Sequence, residues 1–487
     1  MTSNAKMSFV GHDAKKRWLA LYIVCLGELM IVLDTTIVNV ALPSIRTDLA
    51  FSETALVWVV NAYMLTYGGF LLLGGRLGDL YGSRKAFLYG LALFTLSSLA
   101  CGLSYSQGFL IAARAVQGLG GAVVSAVALS LIINLFTESG DRAKAMGIYG
   151  FVCAGGGSIG VLLGGLLTGT LSWHWIFLVN VPLGIAVAVT VLTLLPRDRV
   201  STSGSLDVGG AVAVTMSLML AVYAVVNGNE AGWGSAQTLG LIGAAIILFV
   251  IFLTIETRVA APLMPLRLFR SRNVATSNIV GMLWAASMFA WFFISALYMQ
   301  LVLGYNAMQV GLAFLPANLI MAVCSLGVSA KLVTRFGIRP PLVAGLLLAA
   351  VGLALFALAP VDGSFTIHVL PGMTLLGLGC GIAFNPVLLA AMSDVAPNDS
   401  GLASGIVNTS FMMGGALGLA VLASLAAARS ESLLASSIEA RHALAAGYHA
   451  AFVVGAVFAA LAALISGWIR SAQPNPIEAA RSVSPAD

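Results

Sequence analysis

Charged residues are scarce in this chain. Only 9% of its 487 residues are Asp, Glu, Lys or Arg, whereas 59% are hydrophobic, and the mean hydropathy is +0.99. A soluble domain contains about 25% charged residues. This scarcity excludes a soluble globular protein and indicates an all-α polytopic membrane protein.

The sequence also lacks the common motifs of catalysis and cofactor binding. It has no His-Glu-x-x-His pair, no cluster of metal-ligand residues and no glycine-rich phosphate loop ending in Lys-Ser or Lys-Thr. Its five cysteines are odd in number, form no Cys-x-x-Cys pair and lie in apolar segments, which argues against a disulfide framework or metal site. We therefore expect neither an enzyme nor an ATP-driven pump, and we expect no cofactor or metal.

Long apolar runs fill most of the chain instead. A bilayer core about 30 Å thick needs about 20 apolar residues per helix, and a window of that length predicts about fourteen spans. The predicted spans are 18–41, 55–74, 86–104, 109–135, 145–168, 175–195, 207–227, 237–256, 274–302, 309–331, 341–360, 366–391, 402–427 and 447–469.

The basic residues are distributed unevenly between the two sides of these spans. With the N-terminus in the cytoplasm, 20 of the 24 Lys and Arg residues fall inside, and only Arg46, Arg429 and Arg441 fall outside. This bias follows the positive-inside rule. It predicts a multi-pass protein of the cell (inner) membrane with both termini in the cytoplasm. Because the basic excess is a topology signal, it does not indicate a nucleic-acid partner.

The first span, within residues 19–43, carries two acids, Glu28 and Asp34. A carboxylate in hydrocarbon costs roughly 2.5–3.5 kcal/mol on insertion, so such residues face protein or water and commonly handle ions or protons. No other acid lies well inside a predicted span, which limits the proton-binding acids to about two. Arg114 is the only base placed there, and it could pair with either acid.

The two halves of the chain contain an internal repeat. Three pairs of segments match in order at offsets of 255 to 259, which is unlikely to arise by chance. The pairs are 75–84 with 330–339, 141–148 with 399–406, and the Gly-Leu-Gly at 118–120 with that at 377–379. The same offset places Met373 opposite Arg114, so the buried charge is confined to the first half.

The repeat predicts two parallel six-helix bundles with a substrate site at mid-depth between them. Its offset spans eight helices, so two extra helices lie between the bundles. The predicted units are a cytoplasmic segment 1–17, a first bundle 18–195, two inserted helices within 196–273, a second bundle 274–470 and a cytoplasmic tail 471–487.

Four stretches resemble motifs of the major facilitator superfamily, specifically its fourteen-helix drug/proton antiporter branch. They are residues 33–43 (first-helix signature), 75–85 (loop between helices 2 and 3), 113–121 (fourth-helix basic motif), and 156–166 with 173–184 (fifth-helix region and its following turn). The resemblance implies the major facilitator fold and a monomeric, proton-coupled exporter that works by alternating access.

The resemblance also implies site residues, and the proton-coupling set is Asp34, Glu28 and Arg114. Asp34 lies in the first-helix signature, and Arg114 occupies the place of an arginine implied to act in proton transfer. A fixed structural ion pair is the alternative for both residues. Glu28 lies outside the signature. It is either a second proton or cation site, or an acid bonded permanently to its neighbours.

Two glycine-containing motifs are assigned conformational and packing roles. A latch on the cytoplasmic loop, in which Asp79 binds Arg84 or a helix N-terminus, is predicted from Gly75, Asp79, Gly82, Arg84 and Lys85. Close helix packing that seals the interface between the two halves is predicted from Gly156, Gly160, Gly164 and Gly165. Val161 stands where antiporters of the family usually have proline.

Aromatic and amide residues within the spans suggest a cavity for bulky lipophilic compounds. The candidates are Asn61, Gln117, Trp284, Trp291, Tyr298, Asn385, Asn408 and Phe411. The favoured function is proton-driven export of lipophilic, in some cases cationic, drugs or metabolites. A narrow exporter of one endogenous product and, with less support, a proton-coupled nutrient symporter remain as alternatives. The expected partners are the small substrate, protons and the lipid bilayer.

Overall fold

The computed structural model describes residues 14–136, 139–195, 206–259, 262–393, 395 and 400–470. These residues form helices joined by short turns, with no strand in the ranges described. Thirteen helices have the length and hydropathy of a membrane span. A further helix of 32 residues completes the fourteen predicted from the sequence. The predicted segment 1–17 up to residue 13, and the tail 471–487, lie outside the described residues.

Six helices form the first half, and two more follow them. The first six are α1 Ala14–Asp48, α2 Glu53–Tyr81, α3 Ser83–Gly102, α4 Gln107–Leu135, α5 Ser139–Thr170 and α6 Trp175–Leu194. The inserted pair is α7 Val208–Ala231 and α8 Ala236–Arg258. Helix α1 is longer than predicted, because Pro43 lies inside it and does not end it.

Six helices form the second half. They are α9 Arg272–Val302, α10 Ala307–Phe336, α11 Arg339–Ala357, α12 Phe365–Met392, α13 Ser400–Ala435 and α14 Ala440–Ser466. Three of them contain a π-helical turn, at 298–302, 324–328 and 365–369. Before α9, residues 262–270, which we call the strap, include a short 3₁₀ turn at Leu266–Arg270.

Polar side chains begin several of these helices. The hydroxyl groups of Ser52, Ser106 and Ser235 accept hydrogen bonds from the first-turn backbone N–H groups of α2, α4 and α8. Asn306 and Gln309 form a capping box at the start of α10. Because the first four N–H groups of a helix have no partner within the helix, these caps fix where each span begins.

The packing of the two halves reproduces the sequence repeat. Gly82 ends α2 with φ 95°, and Gly337 ends α10 with φ 80°, a conformation that glycine adopts without steric cost. Gly120 packs α4 against α3 beside Gly90, and Gly379 packs α12 against α11 beside Gly345. The two halves are therefore built on one plan, as the sequence repeat predicts.

Two equivalent helix pairs hold the bundles together, α2 with α13 and α5 with α10. A Cβ on Gly68 of α2 would lie 2.9 Å from Cβ of Met412, and a Cβ on Gly165 of α5 would lie 2.8 Å from the carbonyl oxygen of Ala307. Small residues allow such close backbone approach in membranes. The inter-bundle contact therefore depends on glycine at both pairs.

We name the two ends of the molecule by loop residues, the Ala50 face and the Gly82 face. Three hydrogen bonds between described residues join the bundles in the half nearer the Ala50 face. Gln300 Nε2 donates to Val40 O (3.0 Å), Tyr448 Oη donates to Glu53 Oε1 (3.4 Å) and Asn61 Nδ2 donates to Ala416 O (2.9 Å). These hydrogen bonds hold the two bundles together near the Ala50 face.

The inserted helices lie beside the seam between α2 and α13. Asn229 of α7 donates to Ser424 O of α13 at 2.8 Å, and a Cβ on Gly69 of α2 would meet the side chain of Thr215 of α7. On α8, Ile246 and Ile247 are exposed. Helix α7 therefore packs against both bundles, whereas α8 presents apolar side chains outward, where lipid would lie.

Candidate functional site

A buried ion pair joins α1 to α4. Nη1 of Arg114 lies 2.5 Å from Oδ2 of Asp34, and both side chains are fully buried. The Nε atom of Arg114 donates to the carbonyl oxygen of Val59 in α2 at 2.9 Å. Burying two charges is costly unless further hydrogen bonds satisfy them. The pair therefore depends on the polar groups around it.

Two amide side chains complete the surroundings of Asp34. Gln117 donates to Oδ1 of Asp34 at 2.8 Å and accepts from Nη1 of Arg114 at 2.7 Å. Asn180 of α6 donates to the same Oδ1 at 3.3 Å and to Ser98 of α3 at 3.0 Å. Both carboxylate oxygens therefore have donors, and a proton added to either oxygen would replace one of them.

The guanidinium of Arg114 contacts two aromatic rings and has one nitrogen without a hydrogen-bond partner among the described residues. Its Cζ atom lies 4.3 Å from the ring centroid of Tyr63 and 5.5 Å from that of Phe177, within range of cation–π attraction. Its Nη2 atom and the hydroxyl of Tyr63 are buried and have no hydrogen-bond partner among the described residues. Buried polar atoms are normally paired, so this corner of the site can accept a further acceptor group.

Glu28 occupies a separate polar site on the same helix. Ser125 of α4 donates to its Oε1 at 3.1 Å, and Tyr149 of α5 hydrogen-bonds its carboxyl group. Glu28 is only 5% exposed, so its carboxyl group is shielded from water. Arg114 thus pairs with Asp34, which answers the open question of its partner, and Glu28 relies on neutral hydroxyl groups.

The predicted latch is only partly described. Arg84 Nη2 donates to the carbonyl oxygen of Leu192, near the end of α6, at 2.6 Å, and Lys85 is exposed. A Cβ on Gly75 would find its nearest neighbour at 4.0 Å, so close packing does not require glycine there. The side chain of Asp79 lies outside the described residues, and its contact with Arg84 stays a prediction.

The predicted packing glycines divide between two neighbours. Added Cβ atoms on three of them would meet α1: Gly156 at Val32, Gly160 at Thr36 and Leu33, and Gly164 at Ile37. A Cβ on Gly165 would meet α10 of the other bundle. Residues four apart share one face of a helix, and the next residue is rotated by about 100°. The interface between halves therefore involves Gly165, and the other three pack within the first bundle.

The predicted cavity residues also separate into groups. Gln117 belongs to the group of residues hydrogen-bonded around Asp34 and Arg114, which we call the Asp34 network. Asn61 donates a hydrogen bond to the second bundle. Trp284 packs edge-on to Phe411, with ring centroids 5.2 Å apart. Trp291 is tilted against Phe292 and packs edge-on to Phe314. Tyr298 donates to Pro360 O, and Asn385 donates to Ser325 O. Asn408 is half-buried on α13.

Two residues of the Asp34 network were not nominated from the sequence. They are Ser98 and Asn180. Asn180 lies within the motif at 173–184, so its motif position was the available signal. Neutral polar residues are frequent in membrane helices, so no comparable signal distinguished Ser98.

Two helical bundles built on one plan, with a buried ion pair in the first of them, are the architecture of a membrane transporter. The sequence matches the model of the Major Facilitator Superfamily over residues 24–419. The chain belongs to this superfamily, and it is a multi-pass membrane transporter rather than an enzyme.

Several relatives are named for antibiotic resistance or export. The chain is 39% identical to the cephamycin export protein of Amycolatopsis lactamdurans, over 98% of this chain and 99% of the relative. It is 39% identical to the puromycin resistance protein of Streptomyces alboniger, over 86% and 84%. It is 35% identical to the tetracenomycin C resistance and export protein of Streptomyces glaucescens, over 85% and 76%.

Solved transporter structures share the fold at low sequence identity. A bacterial homologue of the human lysosomal transporter Spinster, in an inward-facing unoccupied conformation, matches with a TM-score of 0.66 at 17% identity, covering 94% of this chain and 98% of that one. The nucleoside transporter NupG matches with a TM-score of 0.64 at 11% identity, over 93% and 100%.

Proposed function

We propose that this transporter exports small lipophilic compounds, including cations, in exchange for protons. The observation that carries the proposal is the buried Asp34–Arg114 pair. Both carboxylate oxygens of Asp34 accept hydrogen bonds, whereas Nη2 of Arg114 has no hydrogen-bond partner among the described residues. The names of the relatives support export over uptake. Fold alone would not decide the substrate.

The Asp34 network supplies the coupling step in this proposal. A proton entering from outside neutralises Asp34 and takes the place of the Nη1 donor of Arg114. Arg114 then retains Gln117 and the carbonyl oxygen of Val59 as acceptors. Return of the proton to the cytoplasm restores the ion pair. Antiport follows if substrate and proton each permit the switch between states but do not occupy the site together.

Contacts between the bundles at the Ala50 face supply a gate in this proposal. The hydrogen bonds of Val40, Glu53 and Asn61 to the second bundle close the Ala50 face. The distribution of basic residues predicts that this face is outside. In this proposal the described conformation is therefore closed to the outside, and these bonds break when the transporter opens outward.

An aromatic cluster in the second bundle favours lipophilic substrates. Phe411 lies 5.2 Å from Trp284 and 5.8 Å from Phe289, measured between ring centroids. The indole ring of Trp284 is fully buried within this cluster. Such a cluster offers apolar area and ring faces for a cation.

A second candidate is a narrow exporter of one endogenous product. The match to the cephamycin export protein over nearly the full length of both chains favours it. A transport panel of chemically unrelated drugs separates the two candidates. Transport of several classes supports the broad exporter, and transport of one compound supports the narrow one.

The test of proton-driven export uses everted membrane vesicles with an imposed proton gradient. We expect the wild type to accumulate drug and Asp34→Asn to lose accumulation against a gradient. Asp362→Asn is the matched control, because Asp362 is 85% exposed. Normal uphill transport by Asp34→Asn would contradict the coupling role of Asp34.

Glu28→Gln is measured in the same assay. If it alone fails, the coupling acid is Glu28 and the roles of the two acids are reversed. Drug accumulation in right-side-out vesicles, driven by an inward proton gradient, would instead identify a symporter.

A further inference from the structure

The two buried acids of α1, Asp34 and Glu28, are separated by an apolar level of the first bundle. Residues 29–33 of α1 are Leu, Met, Ile, Val and Leu, and residues 118–124 of α4 are all glycine, alanine, leucine or valine. Neither helix therefore offers a polar side chain that would carry a proton from one acid to the other.

The side chain of Tyr63 enters this apolar level from α2. It is 1% exposed, its ring stacks on Tyr67 with centroids 5.8 Å apart, and Cζ of Arg114 lies 4.3 Å from its centroid. A Cβ on Gly121 would lie 2.9 Å from the hydroxyl oxygen of Tyr63 and 3.6 Å from Cγ2 of Ile31. The hydroxyl therefore lies between α4 and α1, at the level of Gly121 and Ile31.

Ile31 is the middle residue between the two acids on α1. It comes three residues after Glu28 and three before Asp34. At 1.5 Å per residue the acids are about 9 Å apart along the helix axis, and each is about 4.5 Å from the level of Ile31. The hydroxyl of Tyr63 thus divides the gap into two steps, each short enough for one bridging water molecule.

Helix α4 gives the same register independently. Gln117 donates to Oδ1 of Asp34 at 2.8 Å. Ser125 donates to Oε1 of Glu28 at 3.1 Å. Gly121 is four residues from each of these donors, and residues four apart share one face of a helix. A hydroxyl that contacts Gly121 therefore lies midway between the two acid sites.

The hydroxyl of Tyr63 has no hydrogen-bond partner among the described residues. The nearby hydroxyl of Thr66 is already used, because it donates to the carbonyl oxygens of Ala62 at 2.9 Å and Tyr63 at 3.1 Å on its own helix. A phenol donates one hydrogen and also accepts, and a buried hydroxyl left unpaired is costly. Tyr63 is thus suited to accept a hydrogen bond from one acid site and donate one to the other.

We propose that the hydroxyl of Tyr63 relays protons between Asp34 and Glu28. The relay rests on the proposed proton-coupled export, and it assigns the route by which the proton leaves Asp34. The carboxylic acid of Asp34 gives its proton toward the phenolic oxygen while the phenol gives its own hydrogen toward the carboxylate of Glu28. One water molecule completes each step. One proton leaves Asp34, one reaches Glu28, and no tyrosinate forms.

The relay leads toward the Gly82 face. Helix α1 ends at the Ala50 face, so Glu28, which comes six residues before Asp34, lies nearer to the Gly82 face. The distribution of basic residues predicts that this face is cytoplasmic. Since hydrogen bonds between the bundles close the Ala50 face, a proton in the described conformation leaves Asp34 through Tyr63 and then Glu28.

Time-resolved infrared spectroscopy of the full chain in lipid nanodiscs tests the relay without any drug. A light flash releases protons from ortho-nitrobenzaldehyde, and the carbonyl bands of protonated Asp34 and Glu28 are identified by their loss in Asp34→Asn and Glu28→Gln. Protons reach the described conformation from the Gly82 face. In Tyr63→Phe we therefore expect the Glu28 band to rise at the wild-type rate. The Asp34 band should rise about 100-fold more slowly, the lower end of what a positioned proton-transfer group contributes.

Tyr22→Phe is the matched control, because Tyr22 is exposed on α1, and both bands should keep their wild-type rates. Gly121→Ala is a second way to displace the hydroxyl, since its Cβ would lie 2.9 Å from the phenolic oxygen. It should delay the Asp34 band, and it should add no further delay to Tyr63→Phe. Gly108→Ala, whose Cβ would meet nothing within 4 Å, is the control for the added methyl group.

Transport in everted vesicles gives the second readout. Tyr63→Phe should slow proton-driven accumulation by a similar factor. Drug exchange without a proton gradient should stay near the wild-type rate, because exchange moves no net proton. If the wild type accumulates no drug, the proposed function fails, and the infrared rates still decide the relay.

Three results would overturn the relay. In the first, the Asp34 band rises equally fast in Tyr63→Phe and the wild type. In the second, the Glu28 band is delayed as much as the Asp34 band. In the third, Tyr63→Phe slows drug exchange as much as accumulation, which indicates a structural role for the hydroxyl.

Discussion

The guanidinium of Arg114 and the carboxylate of Asp34 meet at 2.5 Å, and water reaches neither side chain. The two residues are 80 positions apart in the chain, on α1 and α4. Gln117, one turn after Arg114, bonds to both of them. The pair is therefore a tertiary contact that also ties the two helices together.

The first prediction concerns the stability carried by this ion pair. Arg114→Met leaves the carboxylate of Asp34 buried without its cation, so we expect a loss of about 3–5 kcal/mol in the free energy of unfolding. The double variant Asp34→Asn/Arg114→Met removes both charges and recovers most of that loss. Unfolding of the full chain in one detergent measures the stability of the single and the double variant. We expect neither variant to transport drug against a gradient.

Arg335→Met is the matched control for this comparison, because Arg335 is exposed near the end of α10. We expect a change within about 0.5 kcal/mol for it. If the double variant were no more stable than Arg114→Met, the two charges would not be energetically coupled.

The second prediction concerns closure of the Ala50 face. The hydroxyl of Tyr448 bonds to Glu53, which also pairs with Arg46 at 3.0 Å. Tyr448→Phe removes the bond between bundles, worth about 1 kcal/mol, and should raise the outward-open fraction about fivefold. Spin labels at Leu103 and Leu358, exposed sites of the two bundles, measure the separation.

Tyr89→Phe provides the control for the closure experiment, because Tyr89 is 75% exposed. Its distance distribution should match the wild type. Identical distributions for Tyr448→Phe and the wild type would show that this bond does not hold the face closed.

The third prediction concerns the α5–α10 seam. The added Cβ of Gly165→Ala lies 2.8 Å from the carbonyl oxygen of Ala307, and backbone atoms cannot turn aside as a flexible side chain can. We expect a loss of about 1–3 kcal/mol in the free energy of unfolding from overpacking. We also expect a wider separation of spin labels at Leu103 and Leu358. In Gly169→Ala the new Cβ lies 4.0 Å from Met308, so this variant should behave as the wild type. Equal effects would contradict the close approach.

The fourth prediction concerns the turn at the Gly82 face. Gly82 and Gly337 have positive φ angles, so alanine at either position should cost about 1–2 kcal/mol in unfolding free energy. Gly75→Ala should be tolerated, since its Cβ has room. Unfolding measurements on the three variants rank them. A ranking with Gly75→Ala as the most harmful would show that the loop motif acts through Gly75 instead.

Hydropathy was enough to predict the helices, because each must be long and apolar to cross the bilayer. The two first-half acids and Arg114 stood out for the same reason, since a charge in an apolar run is costly. The pairing could not be predicted. Arg114 is long enough to reach either Glu28 or Asp34, and the choice depends on how α1 and α4 cross.

Other features required three-dimensional packing. Asn180 and Ser98 carry no charge, so their burial beside Asp34 leaves no compositional trace. Glu256 lies near the end of α8, where an acid normally meets water, yet it is buried and accepts a hydrogen bond from the backbone nitrogen of Met264 in the strap. The packing glycines looked like one stripe in sequence, yet a single residue of rotation turns Gly165 toward the other bundle.

The position equivalent to Arg114 in the second bundle is the buried, uncharged Met373. In the proposed cycle, protonation of Asp34 therefore changes the first bundle from a neutral pair to one net positive charge, and the second bundle does not change. A charge crossing the full membrane potential gains about 2.3 kcal/mol per 100 mV. The electric field across the membrane would thus act on one bundle of a nearly symmetric molecule, and this bundle would sense voltage.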